Sequence, residues 1–202
     1  TNPWCSSTRA ALQTGRHSRH WGFGEFLRDW EPLELPLDEK TLPEVFGYHG
    51  YETAAVGKWH MATKNSTNAY NHPNLQGYDT FSGLLHNAKY WSWQKVDNGV
   101  ISSYPDYSPT YFVDKGIELV ETMEEPWLLY FPFPLVHGPF HVPPIHLHDY
   151  DTLDPATATR GELVDAMAQA ADTELGRLID AYDPNDTVLV FMGDNGSNGP
   201  SV

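Results

Sequence analysis

Apolar residues recur at three- and four-residue spacing along residues 159–182. Leu163, Met167, Ala170, Ala171, Leu175, Leu178 and Ile179 form one stripe, with Asp165, Gln169 and Asp172 facing out. That period predicts a helix, and Pro184 and Asn185 end the segment. Residues 111–124 repeat the pattern through Phe112, Gly116, Leu119, Val120 and Met123, closed by Pro126. Two runs, 127–131 and 187–192, are almost wholly apolar and do not alternate. Each predicts a strand covered on both faces. Residues 51–57 predict a shorter strand that runs into Lys58, Trp59, His60 and Met61. On a strand, Lys58 and His60 share one face and Trp59 takes the other.

The remaining segments carry weaker periods. Residues 6–14 predict a short helix, with Gly15 placed to stop it. Residues 38–46 predict another, with Leu42, Val45 and Phe46 on its apolar side, Gly47 at its end and Pro43 inside it. Residues 16–36 show no period and predict a loop packed through Trp21, Phe23, Phe26 and Trp30. Residues 62–109, rich in Asn, Gly, Tyr and Pro, predict loops. Residues 132–144 hold too many prolines for a helix or a central strand, and a stiff loop places side chains reproducibly. Alternating helices and strands predict an α/β fold, a mixed and mostly parallel sheet between helices. Ligands of such sheets bind beyond the carboxyl ends of the strands.

Composition narrows the function. The 202 residues suffice for one domain with a sizeable core. A net charge of −15, from 27 acidic and 12 basic residues, argues against nucleic acid as a partner. An anionic substrate would need a local cluster of cations. A single cysteine excludes an internal disulfide, and no run of 18 apolar residues predicts a transmembrane helix. Asn65-Ser66-Thr67 and Asn185-Asp186-Thr187 are glycosylation sequons, relevant in a secreted eukaryotic protein.

Four polar groups fall at one predicted rim: Cys5 with Arg9, Lys58 with His60, His137, and Asp194 with Asn195. A helix that starts at Cys5 puts Arg9 one turn along the same face, so backbone N–H groups and a guanidinium converge. Such a point suits a tetrahedral oxyanion. A buried structural cysteine beside a surface arginine accounts for the same residues. Each other cluster also has a plain reading: a surface lysine, a hydrogen-bonded loop histidine, and a turn at Asp194-Asn195-Gly196. The oxygen donors of Asp194 and Asn195 suit a hard cation such as Ca²⁺ or Mg²⁺, with further carboxylates needed from elsewhere.

Cys5-Ser6-Ser7-Thr8-Arg9, followed by Ala10-Ala11-Leu12-Gln13-Thr14-Gly15-Arg16, resembles the signature of the formylglycine-dependent sulfatases. Residues 50–61, GYETAAVGKWHM, resemble that family's second signature. Gly77-Tyr78-Asp79, His137-Gly138-Pro139 and Gly193-Asp194-Asn195-Gly196 follow in the family's order. The resemblance implies an alkaline-phosphatase-like α/β/α sandwich. It implies that a formylglycine-generating enzyme oxidises Cys5 to formylglycine, whose hydrated form attacks sulfur with one oxygen and expels sulfate with the other. Arg9 would hold the diol, Lys58 the sulfate oxygens, and His60 the second hydroxyl. His137 would serve the leaving oxygen, and Asp194, Asn195 and the residue at Cys5 would meet a divalent cation, usually calcium. The substrate would be a small-molecule or carbohydrate sulfate ester, in a periplasmic, secreted or lysosomal-type compartment. Residues 1–202 would be part of a sulfatase catalytic domain, without the early metal-binding strand and the C-terminal part. The common signature has proline where this chain has Ser7. Relatives with the same cysteine suggest phosphonate or phosphate monoesters as the rival substrates, and a catalytically silent binding protein as the rival class. Trp91 and Trp93 are candidates to stack on a sugar or aryl ring, or to lie in the core.

Overall fold

The computed structural model describes residues 3–86 and 89–196. The chain's last stretch, Gly199 to Val202, lies outside them. Five strands form one sheet in the order β4-β3-β2-β1-β5, where β1 is Glu52–Lys58, β2 Thr80–Leu84, β3 Trp93–Asp97, β4 Val100–Tyr104 and β5 Trp127–Tyr130. The central strand β1 runs parallel to both β2 and β5, whereas β3 and β4 pair antiparallel. Half the pairings are therefore parallel, in a mixed sheet.

Helices cover both faces. On one face Ala10 of α1 (Cys5–Thr14) joins Phe23, Leu35, Ala55, Trp59, Phe81 and Val96 in a buried cluster. On the other, Phe112 and Leu119 of α4 (Ser108–Thr122) cover Ala54, Val56, Leu84 and Trp93. Behind α4 lies α5 (Arg160–Ile179), whose Met167 and Ala170 pack with Tyr90, Tyr107 and Leu147. Buried Glu174 of α5 accepts from Thr110 and from Arg177, so its charge is paired. Thr159 and Glu162 form a capping box that starts α5. Gly15 takes a left-handed conformation after α1, as its position suggested.

Several predicted elements change. The helix over 38–46 is a shorter α2, Leu42–Tyr48. Pro43 belongs to its first turn, where no N–H is needed, and the Glu44 carboxylate caps Thr41 N–H at 2.8 Å. Trp30 is 72% exposed rather than packed. Residues 62–109 hold β2, β3, β4 and a short helix α3, His72–Leu75, where loops were expected. Asn98 and Gly99, both at positive φ, make the tight turn between β3 and β4. The run 127–131 holds strand β5, Trp127–Tyr130, half-buried because it is the sheet edge among the described residues. The run 187–192 is not a strand among the described residues: no neighbour pairs with it, and Val188 and Phe191 are 89% and 81% exposed. A strand needs a ladder partner as well as apolar side chains.

Two close contacts control the carboxyl end of β1. A Cβ on Gly83 would stand 1.9 Å from the Gly57 carbonyl oxygen, so β1 and β2 approach where only glycine fits. Gly57 itself has φ +126 and faces the Pro132 carbonyl. Just beyond, the buried Trp59 ring meets Tyr78 and Phe81 edge-on and donates to His72 Nδ1 at 3.0 Å. His72 Nε2 faces the Leu35 carbonyl at 2.8 Å. A carbonyl only accepts and an indole N–H only donates, so His72 is neutral with its proton on Nε2.

Two outcomes follow for stability. Gly83→Ala should lower unfolding free energy by about 3 kcal/mol or more in denaturant melts, because backbone must move. Burial holds the pKa of His72 below 6.5. The unfolded chain then binds the proton more readily than the native one. Stability from this group is thus present above about pH 6.5 and lost as pH falls through the native value. Thermal melts should show that loss, with a smaller acid slope in His72→Gln.

Candidate active site at the carboxyl end of the central strand

Cys5 opens α1, Lys58 closes β1, and His60 lies two residues beyond it. The predicted strand face shared by Lys58 and His60 is not observed as such. His60 leaves the strand in a left-handed conformation, φ 58, with its N–H bonded to the Leu85 carbonyl at 2.8 Å. That conformation is uncommon for a non-glycine residue, and here it turns the ring toward Cys5. His60 Nδ1 stands 3.1 Å from Cys5 Sγ, and Nε2 stands 3.1 Å from the Leu27 carbonyl oxygen. The carbonyl only accepts, so Nε2 carries the proton and Nδ1 presents a lone pair to position 5. Burial, then the charge of Lys58, pushes the His60 pKa well below 6.5 and keeps the ring neutral.

Lys58 Nζ lies 3.8 Å from Cys5 Sγ. Its side chain is buried, and burial lowers its pKa from the usual lysine value. Arg9, also buried, donates through Nη1 to the Lys58 carbonyl at 2.6 Å. Its Nε and Nη2 both donate to Asp194 Oδ2, at 3.1 and 2.8 Å. Burial opposes the guanidinium charge, but Tyr130 and Asp194 outweigh it and hold the Arg9 pKa above its ordinary value. Cys5, Arg9, Lys58, His60 and Asp194 are thus brought together. The predicted helix start at Cys5 is observed, and Ser6 and Ser7 are buried beneath it. Ser7 Oγ donates to the Phe23 and Glu25 carbonyls, which gives it a structural task.

His137 stands at the edge of this group, on the proline-rich loop after β5. Its Nδ1 is 2.6 Å from the Gly138 carbonyl oxygen, which leaves Nε2 as the open ring atom. Its surroundings, then Lys58, lower its pKa. Asn195 does not reach the cluster: its Nδ2 donates to the Gly196 carbonyl at 2.7 Å. Calcium takes six to eight oxygen ligands. Among the described residues no group of three or more His, Cys, Asp or Glu side chains is placed to hold a metal ion. Asp194 and Asn195 are therefore too few donors for such a site by themselves, and Asp194 is committed to Arg9.

Three contributors were not read from the sequence. The Leu27 carbonyl sets the His60 tautomer, yet a backbone acceptor leaves no residue-type signal. His86 packs edge-on to His60 at 5.8 Å, with Asp29 3.1 Å from its Nδ1. Tyr90 donates to the His137 carbonyl at 2.5 Å and so ties the loop of His137 to the third core cluster. Trp93 is buried in the core, whereas Trp91 is 44% exposed.

The thiol of Cys5 at a helix start, a neutral imidazole lone pair and two buried cations thus meet at the strand ends of an α/β sheet. The family model for Sulfatase matches residues 1–200, and the chain belongs to the sulfatase family. It is 26% identical to arylsulfatase J of Mus musculus over 96% of this chain and 35% of that one. It is 28% identical to arylsulfatase G of Rattus norvegicus, over 95% of this chain and 42% of that one. It is also 28% identical to the ulvan-active sulfatase of Formosa agariphila, over 96% and 41% respectively. The chain thus spans roughly two fifths of these relatives' length. Among solved structures, Ps i-CgsB in complex with k-i-k-neocarrahexaose superposes with a TM-score of 0.74 at 21% identity, over 89% of this chain and 44% of that one. A second, bound to its substrate D-glucosamine-2-N,6-O-disulfate, gives 0.57 at 19% identity over 89% and 44%. The fold is that of the alkaline-phosphatase-like sulfatases.

Replacing Arg9 by Met should cost about 1–3 kcal/mol, since a buried carbonyl and a part-buried carboxylate both lose their donor. Arg9→Lys should recover only a part, because one ammonium cannot reproduce the three-way fork. Equal stability of the three proteins in urea would contradict this account.

Proposed function

We propose that this chain supplies the centre of the active site of a sulfate monoester hydrolase acting on a sulfated carbohydrate or another small sulfate ester. The observation that carries the reading is the convergence on Cys5 of the His60 lone pair and the buried Lys58 and Arg9, in a chain of the sulfatase family. The carbohydrate ligands of the two similar structures and the ulvan-active relative support the substrate class. The 202 residues are read as part of a larger catalytic domain.

Position 5 fits formylglycine, made from Cys5 by a formylglycine-generating enzyme, because its neighbours are oxygen-seeking cations and a proton acceptor. That residue supplies a hydrated aldehyde whose paired hydroxyls provide the nucleophile. The chain's own side chains do the rest. His60 Nδ1 takes a proton from the group at the Sγ position and is held to that task by Leu27. Lys58 Nζ offsets charge that develops on the sulfate oxygens. Arg9 fixes the end of β1 and gives positive potential beneath position 5. His137, whose Nε2 is the open ring atom, is read as the residue that serves the leaving oxygen. Asp194 and Asn195 are read as two ligands of a divalent cation, calcium or magnesium, that requires more oxygens than they provide.

The whole protein should turn over 4-nitrophenyl sulfate faster than the matching phosphate and phosphonate esters. Cys5→Ala should lower kcat/KM by about 10³-fold or more. Mass analysis of the peptide with Cys5 should show CH₂SH replaced by CHO. A preference for the phosphonate would favour the rival substrate, and an unconverted thiol without turnover would favour a silent binding protein.

A further inference from the structure

The third core cluster ends at the surface in a single indole. Trp91 is 44% exposed, while Tyr90 and Tyr107 beneath it are buried. Its ring centre lies 4.9 Å from Tyr107 and 4.8 Å from His141, and Tyr90 is 4.0 Å from His141. The backbone is pinned on both sides. Ser108 N–H bonds to the Tyr90 carbonyl at 2.9 Å, and Ser92 N–H to the Pro105 carbonyl at 3.1 Å. Other exposed aromatic residues lack this support: Trp30 makes no ring contact among the described residues, and Tyr48 meets only His49.

The rings that touch Trp91 are also uncharged. His141 Nδ1 is 3.0 Å from the Pro139 carbonyl oxygen, so it carries the proton. Its Nε2 then accepts from Tyr107 O–H at 2.9 Å. Burial lowers the His141 pKa and raises that of Tyr107, so both stay neutral. Every named polar atom is satisfied internally, which leaves the indole face as an uncharged, preordered surface. Binding there spends little side-chain entropy.

Its position relates it to the site. Tyr90 O–H reaches the His137 carbonyl at 2.5 Å and the Pro134 carbonyl at 3.2 Å. Trp91 touches His141, which belongs to the same proline-rich loop as His137, and Tyr90 bonds that loop as well. We propose that Trp91 is a specificity-determining platform on which a pyranose ring of the leaving group stacks, the ring next to the one that bears the sulfate. A pyranose presents a C–H face of indole size, whereas a cation would find no balancing carboxylate among the cluster's named contacts. The rings that touch Trp91, those of Tyr90, Tyr107 and His141, offer no charge to pair with an anionic group, so this second ring is uncharged. The inference rests on the sulfatase reading and adds the second ring to it.

The test uses the whole protein with Trp91→Ala and Trp91→Phe. Substrates are 4-nitrophenyl sulfate and a set of monosulfated disaccharides whose second ring is neutral. Trp91→Ala should lower kcat/KM on the disaccharides about tenfold more than on 4-nitrophenyl sulfate, mainly through KM, with Trp91→Phe retaining most of the preference. A desulfated disaccharide should quench indole fluorescence in the parent and not in Trp91→Ala. Equal losses on both substrate types, or no loss on disaccharides, would overturn the platform. Turnover of the aryl ester with no disaccharide accepted would overturn it and leave the sulfatase reading standing. Absence of any turnover would sink the sulfatase reading, and the quenching experiment alone would then decide the platform.

Discussion

Arg9 and Lys58 are buried cations in a protein of net charge −15, and their desolvation sets the terms for the whole site. Removing a charge from water is expensive unless a partner and hydrogen bonds offset it. Arg9 meets that condition through the Lys58 carbonyl and Asp194. Lys58 does not: its ammonium meets a thiol at 3.8 Å, and burial lowers its pKa. A pocket with one unbalanced buried ammonium is stabilised by an anion that brings oxygen acceptors. The same field that depresses His60 keeps its Nδ1 free to accept, so the cations and the base are one electrostatic arrangement.

Backbone geometry places these groups. Gly57 and Gly83 let β1 and β2 come together at the carboxyl end, and only there does Lys58 reach position 5. The left-handed His60 then reverses the ring's direction relative to a continued strand. Trp59, anchored by His72, holds the residue between them in the core. A pleated continuation would have put Lys58 and His60 side by side on one face. The observed turn instead brings them to Cys5 along different paths.

Much of this was legible in the sequence. The 3.6-residue stripes identified α4 and α5 because those helices bury one face against the molecule. Cys5 and Arg9 one turn apart, and Lys58 and His60 after a short apolar strand, marked the site. The antiparallel β3 and β4 were missed because β4 is exposed and weakly apolar, although Asn98-Gly99 is a strong hairpin signal. The run 187–192 has the composition of a buried strand, but pairing depends on a neighbour that composition does not reveal. Trp91 and Trp93 sit two residues apart with opposite fates. Strand alternation would put both on one face, but β3 starts only at Trp93 and the positive φ of Ser92 turns the chain between them.

The contact between Arg9 and Asp194 joins residues 185 positions apart. Pairings of such sequence separation carry a large loop-closure entropy and form late, after local helices and hairpins have reduced the free chain between them. The Arg9–Asp194 contact therefore cannot precede the fold. A chain that has collapsed but not brought its two distant ends together has helices and a sheet, yet no fork on Asp194. Formation of this ion pair thus records that the first helix and the segment after α5 have met.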